Sequence, residues 1–464
     1  LIRRRNQENK LASNRTKTNS DQNIMLYYST NKISPKVDFK EATIHGQAPD
    51  KGLYFPEQIP ALSKNLLASL KHTSKADIAF EVIRPYVGGT IPDTELHEIC
   101  AHTVNFDFPL VQVNENISSL ELFHGPTLAF KDVGARFMSR CLGYFSRGNN
   151  KKITVLVATS GDTGSAVANG FLGVEGVEVV ILYPSGKVSK IQELQLTTLG
   201  QNIKALEVQG TFDDCQKMVK QAFTDAELNQ KLFLTSANSI NVARWLPQQF
   251  YYFYALQQWT GEEPPVISVP SGNFGNICAG LLAAVSGLPV KHFVAACNSN
   301  DVFTRYLQSG LFETMEAVAT ISNAMDVGNP SNFVRIPELF GHDYQKIKSF
   351  ISSYRVSDAT TAETIQRVFK DYHYILDPHG AVGYYALEEF LCHGERSRTM
   401  TSGGPKGLFL ETAHPLKFSD VVEKAIGQTL EIPASLQQLL QLKKQSVVVK
   451  PEYDELKSYL MDKD

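Results

Sequence analysis

The chain has 464 residues, with 45 Lys plus Arg against 48 Asp plus Glu, a net charge of -3 and 43% hydrophobic residues. That length suits two or three domains with large cores, and the composition excludes a disordered or fibrous chain. The near-neutral balance gives no electrostatic case for binding nucleic acid, so a small-molecule partner is expected. No run of about 18 apolar residues marks a transmembrane helix, and no apolar N-terminal run marks a secretory signal. Cys100, Cys141, Cys215, Cys278, Cys297 and Cys392 are scattered, without a CxxC pair or the spacing of a zinc site. They read as reduced, mostly buried small hydrophobes in a cytoplasmic protein.

Residues 1–24 (LIRRRNQENKLASNRTKTNSDQNI) carry Arg3, Arg4, Arg5, Lys10, Arg15 and Lys17 against Glu8 and Asp21, which predicts a disordered basic leader. Such a composition also suits a transit peptide, but Met25, which opens the strand-like run MLYYST, reads as the natural start. An amphipathic helix follows Lys131, built on Val133, Phe137, Met138, Cys141 and Leu142. From about residue 150, short β-branched runs alternate with helical patterns, the signature of a parallel sheet covered by helices. Strands are predicted at 153–159, 177–184, 202–209, 265–270, 291–297 and 406–412. Helices are predicted at 163–172, 188–199, 212–224, 241–258, 275–286, 301–309 and 380–391. The polar stretch HGERSRTMTSGGP (393–405) reads as an exposed loop or insertion. The fold class is α/β.

The first chemical signal is HGPTLAFKD (124–132), which places Lys131 on the first turn of its helix. The positive end of the helix dipole disfavours an ammonium there, and Leu128, Ala129 and Phe130 help to desolvate it. Both effects lower its pKa toward a nucleophilic amine suited to a Schiff base. Taken alone, the lysine also reads as a solvated side chain snorkelling from a helix end. The second signal is PSGNFGN (270–276), between a strand and an apolar helix. Gly272, Asn273, Phe274, Gly275 and Asn276 form a cup in which backbone N–H groups and a helix N-terminus favour a phosphate. Without the Gly-Lys-Ser/Thr of a Walker A loop it does not suit a nucleoside triphosphate. In ATSGDTGSA (158–166), Ser160, Asp162 and Thr163 offer hydroxyls, a carboxylate and helix N-terminal donors, while the GxGxxG spacing of a dinucleotide site is missing. In ANSINVARWLPQ (237–248), Asn238, Ser239 and Asn241 precede Arg244, whose guanidinium can fork onto a phosphate. In ETAHPLKF (411–418), Thr412 ends a predicted strand. A lysine, two anion cups and a phosphate-reading arginine together are most economically explained by a pyridoxal 5'-phosphate site.

These motifs, with MLYYSTN, VDFKEATIHGQAPDKGLYFPEQIP (37–60), PSGKVSKIQ (184–192), DVGNPSNF (326–333) and DPHGAVG (377–383), stand in an order that resembles the threonine synthase family. That family belongs to the fold type II, tryptophan synthase β-like, class of pyridoxal phosphate enzymes. The resemblance runs nearly throughout from Met25 onward. It implies two open, mostly parallel sheets covered by helices, an N-terminal family segment over 25–105 and a catalytic region of two α/β subdomains over 106–464. It further implies that Lys131 carries the cofactor and shuttles protons, that residues 272–276 hold its phosphate, and that Thr412 meets its pyridine nitrogen. Ser160, Asp162 and Thr163 would lie at the substrate carboxylate and the cofactor's ring hydroxyl. Asn238, Ser239 and Arg244 would lie at the substrate phosphate. The implied reaction turns O-phospho-L-homoserine and water into L-threonine and phosphate, in a monomer or homodimer. The chain departs from the family pattern in its basic leader, in 393–405 and at Gly380, where a hydroxyl residue is more usual; a badly placed insertion would misregister the strand leading to Thr412. A sister dehydratase would share the lysine and phosphate cup but lack the N-terminal segment, and a non-catalytic relative would be expected to lose the lysine or a cup.

Overall fold

A computed structural model describes residues 24–148, 152–395 and 406–462. The predicted leader, apart from Ile24, and positions 396–405 of the predicted insertion lie outside the described residues.

Three sheets organise the chain. Strands β1 (Tyr27–Ser29) and β2 (Tyr54–Pro56) form an antiparallel pair in the N-terminal segment. The next two, β3 (Leu110–Gln112) and β4 (Ile117–Glu121), enter a six-stranded sheet completed by β9 (Val266–Pro270), β10 (His292–Cys297), β11 (Ile351–Arg355) and β12 (Gly407–Glu411). Its order is β11-β10-β9-β12-β4-β3, parallel except for the β3 edge. Between β4 and β9 the chain builds a second, five-stranded sheet from β5 (Ile153–Ala158), β6 (Val177–Pro184), β7 (Ile203–Val208) and β8 (Phe233–Ser236). The C-terminal β13 (Val447–Val449) joins that sheet, whose order β13-β7-β6-β5-β8 is parallel throughout.

The local reasons are visible in the residues. Every residue of β5 is buried, as suits a strand covered on both faces, and its sequence ITVLVA is almost wholly apolar. The helix Lys131–Ser146 buries Val133, Phe137, Met138, Cys141, Leu142 and Phe145, at the three- and four-residue spacings of one helical face. Reciprocal capping boxes, Ser189 with Gln192 and Thr211 with Asp214, fix the starts of Lys190–Thr197 and Phe212–Thr224. The N-terminal segment is not an appendage: Tyr27, Phe39, Tyr54 and Ile78 share one continuous core with Phe137, Trp245 and Leu282.

Several expectations change. Parallel structure starts with β4, before residue 150, because its short sequence ISSLE carries little apolar signal. The single helix predicted at 241–258 is three pieces, Val242–Trp245, the tighter 3-10 turn Leu246–Gln249 and Phe250–Gln258. Pro247 lacks the N–H that a continuous helix would require. Helix 380–391 extends to Pro378–Glu395, and β12 stops at Glu411, one residue short of Thr412. Five of the cysteines are buried, but Cys392 is exposed. The register of β12 against β4 is regular from Gly407↔Ile117 to Glu411↔Glu121, so the strand leading to Thr412 is not displaced.

Candidate active site

The chemistry-bearing residues gather at the carboxyl ends of the parallel strands, where open α/β sheets bind ligands. Lys131 follows β4, Ser160 to Thr163 follow β5, Asn238 and Ser239 follow β8, Gly272 to Asn276 follow β9, and Thr412 follows β12. Residues 128–130 pair with 412–414: the Phe130 N–H donates to the Thr412 carbonyl at 2.9 Å and the His414 N–H to the Leu128 carbonyl at 3.0 Å. The segment leading into Lys131 is therefore laid along the strand end that carries Thr412.

Lys131 opens its helix with a side chain only 18% exposed, its Nζ 3.6 Å from Asp162 Oδ2. Burial pulls its pKa below the ordinary lysine value; Asp162 opposes this, while the neighbouring charges of Lys417 and Arg244 add to it. Asp162 faces lysines. Fully buried Lys417 lies 2.7 Å from its Oδ1 and donates to the Thr127 carbonyl at 2.8 Å, while Gln192 Nε2 donates to the same Oδ1 at 2.9 Å. Burial alone would raise the Asp162 pKa, but Lys417 and Lys131 hold it well below the carboxylate range, so it is ionised. Ser160 and Thr163, partly exposed beside it, have hydroxyls without a protein partner among the described residues.

The cup at 272–276 has the form that its sequence predicts. Phe274 takes a left-handed conformation (φ 61°) and caps the helix Gly275–Val285. A Cβ on Gly272 would come within 2.7 Å of Met325 Cα, so only glycine fits that close approach. Buried Asn276 receives the Tyr252 hydroxyl on its Oδ1 at 2.9 Å, leaving its Nδ2 without a partner among the described residues. An unpartnered buried amide at a helix N-terminus suits an anion such as a cofactor's phosphate. Ser239 lies against this cup: its Oγ accepts from Asn273 Nδ2 at 2.8 Å and Asn332 Nδ2 at 3.1 Å, which leaves its O–H free to donate. The two predicted anion sites thus share a wall. Arg244 is buried, donates to the Ala237 carbonyl, leaves its Nε unpartnered and has no carboxylate partner among the described residues. Burial brings its pKa to about 10, so it remains charged at neutral pH.

A desolvated amine at a helix start, set among strand ends with a phosphate cup, defines a fold type II enzyme dependent on pyridoxal phosphate. The chain matches the family described as pyridoxal-phosphate dependent enzyme over residues 112–399, threonine synthase N terminus over 26–104 and threonine synthase, C-terminal, over 380–460. A threonine synthase of Haemophilus influenzae is 43% identical over 439 residues, covering 94% of this chain and 100% of that relative. Among solved structures, threonine synthase from Escherichia coli superposes with a TM-score of 0.85 at 41% identity, covering 95% of this chain and 100% of that one. Pyridoxal-phosphate-bound threonine synthase from Brucella melitensis gives 0.86 at 35% identity, with 94% and 99% covered. The chain belongs to the threonine synthase family, whose members are pyridoxal-phosphate-dependent lyases.

Sequence reasoning assigned no role to Lys417, Gln192, Asn332 or Arg335. The first three lie inside quoted motifs (TAHPLKF, PSGKVSKIQ and DVGNPSNF), but nothing local to those runs shows which side chain turns inward.

Proposed function

We propose that this chain acts on O-phospho-L-homoserine and water, releasing L-threonine and inorganic phosphate, in the cytoplasm. The observation that carries the substrate is the buried charge of Arg244, near Lys131 and without a carboxylate in ion-pair contact among the described residues: a buried cation so placed is unfavourable until an anionic ligand meets it. Five buried free cysteines, Cys100, Cys141, Cys215, Cys278 and Cys297, agree with a reducing compartment.

Pyridoxal phosphate, when bound, supplies the electron sink that makes carbanion chemistry on an amino acid accessible. Lys131 would hold it covalently, residues 272–276 its phosphate and Thr412 its pyridine nitrogen. As a neutral amine, Lys131 would take the Cα proton of the substrate and shuttle later protons. Its depressed pKa supports that role. Asp162, neutralised by Lys417, would meet the cofactor's ring hydroxyl without repelling the substrate carboxylate, which Ser160 and Thr163 would receive. Arg244, Asn238 and Ser239 bind the phosphate that leaves from Cγ, after which water adds at Cβ. All these side chains come from one chain, which agrees with a monomer or a homodimer.

Product analysis after incubation with O-phosphohomoserine tests this assignment. Threonine with stoichiometric phosphate is expected; a keto acid with ammonia, or no product, would overturn it.

A further inference from the structure

Arg335 is wholly buried on the helix Arg335–Leu339, and it has no carboxylate partner among the described residues. Its two terminal nitrogens are spent on carbonyl-type oxygens from three separate parts of the chain, while its buried Nε has no partner among the described residues. Nη2 donates to the Ile240 carbonyl at 2.7 Å and to the Tyr54 carbonyl at 3.3 Å; Nη1 donates to the Ser239 carbonyl at 3.3 Å and to Asn332 Oδ1. The same guanidinium lies 4.1 Å from the centre of the Trp245 ring, which packs on Phe55 at 5.7 Å. Nearby, Asn241 Nδ2 donates to the Thr43 carbonyl at 2.8 Å. The N-terminal segment (Thr43, Tyr54, Phe55) is thereby bound to the loop 238–241 and to the Asn332 turn.

The consequence for the site runs through two amides. Asn332, oriented by Arg335 on its oxygen, spends its Nδ2 on Ser239 Oγ and on the Asn273 carbonyl at 2.9 Å. Asn273 in turn donates to Ser239 and accepts the Ser331 N–H at 2.6 Å. Both acceptor positions of Ser239 Oγ are filled, so its proton is aimed by elimination at whatever anion lies at the wall between the two cups. A planar five-donor fork holds four oxygens on several chain segments in one fixed plane, a geometry that the three rotatable donors of a lysine do not reproduce. Leaving a buried guanidinium without a carboxylate also keeps its positive field available to anions at that wall.

We propose, on the basis of the phosphorylated substrate assigned above, that Arg335 is a positioning residue. Its carbonyl-bound guanidinium locks the N-terminal segment to the 238–241 loop and sets the Ser239 hydroxyl for the substrate's phosphate. The N-terminal segment thus acts in specificity by holding one wall of the anion site.

The test uses the full-length holoenzyme as wild type, Arg335→Lys, Asn332→Ala, Ser239→Ala and the double variant Arg335→Lys/Ser239→Ala, each checked for folding and for cofactor absorbance. Arg335→Lys keeps bound cofactor, raises KM for O-phosphohomoserine at least tenfold with kcat changed less than threefold, and weakens inhibition by inorganic phosphate at least fivefold. In the Ser239→Ala background the same substitution adds less than a twofold loss in kcat/KM, because the hydroxyl it positions is already gone. Asn332→Ala shows the same KM-weighted pattern and keeps the proposal testable if Arg335→Lys does not fold. Unchanged KM and phosphate inhibition in a folded Arg335→Lys protein, or losses that multiply in the double variant, would overturn the proposal. A wild-type enzyme that makes no threonine from O-phosphohomoserine sinks instead the substrate assignment.

Discussion

At the scale of single residues, the site is an arrangement of buried charges whose removal has separable effects. Lys131→Ala leaves a folded protein that lacks the visible absorbance of lysine-bound cofactor and loses activity by orders of magnitude; near wild-type turnover would sink the assignment of Lys131. Arg244→Leu keeps the cofactor and its absorbance but loses at least tenfold in kcat/KM for O-phosphohomoserine, as expected when a charge-assisted hydrogen bond worth about 1.5–3 kcal/mol is lost. It also becomes less sensitive to inorganic phosphate; loss of cofactor instead would assign the arginine to the wrong phosphate. Lys417→Met leaves buried Asp162 with Lys131 alone as a cation, a change of the kind that destabilises by about 3–5 kcal/mol. Because Lys417 helps to depress the Lys131 pKa, its loss raises that pKa. Reconstitution of the apoenzyme, which needs the neutral amine, then shifts to higher pH, measurable as the pH dependence of the rate at which absorbance appears.

At the scale of elements, β12 and the helix Pro378–Glu395 meet where Glu411 packs on Gly380. Glu411 is wholly buried, and its Oε1 accepts the Asp377 N–H at 2.6 Å. Burial and the nearby Asp377 carboxylate push its pKa well above the usual range, so it is a neutral acid. A Cβ on Gly380 would stand 1.6 Å from Oε2, so the absence of a side chain at 380 and the carboxyl at 411 are one fitted pair. Gly380→Ala therefore lowers stability by about 1–3 kcal/mol through overpacking. Glu411→Ala in the same chain recovers most of that loss, as measured by urea midpoints. Additive losses in the double variant would show that the two positions are independent.

At the scale of the whole molecule, stability depends on groups that fold into awkward protonation states. His292, stacked on Phe390 at 4.7 Å, and His414 are both pushed down to about 4 by burial. Between about 6.5, the ordinary histidine value, and about 4 the unfolded chain binds protons there that the folded chain refuses, so stability falls as pH drops through this window. Carboxylates held low in the fold, such as Asp162 and Glu207, extend the loss as pH falls below about 4. Buried carboxyls with raised pKa, such as Glu411, act in the opposite sense, so the histidine contribution is read by difference: in thermal melts from pH 7 down to 4, His292→Phe loses less Tm than wild type. A His292→Phe protein whose Tm depends on pH between 7 and 4 as wild type does would contradict the burial of that imidazole in its neutral form.

Sequence by itself determined the α/β class, most strands of the two parallel sheets, the lysine at its helix start and the glycine-asparagine cup, because each is written in local terms: β-branched runs, three- and four-residue spacing, loop glycines. It did not reveal β4, β8, β11 and β13, which are short or carry little alternation and become strands because neighbours offer them a paired edge. It named Asp162 without its partner, since Lys417 is 255 positions away along the chain and only the return of the C-terminal part to the six-stranded sheet brings them to 2.7 Å. Arg335 likewise has no local signal. Its role exists only where Tyr54, from the N-terminal segment, and Ser239 and Ile240, from the middle of the chain, present their carbonyls to one guanidinium. Periodicity and loop chemistry act over a few residues, whereas the pairing of buried charges depends on long-range packing, and so the tertiary structure alone decided which cations face which anions.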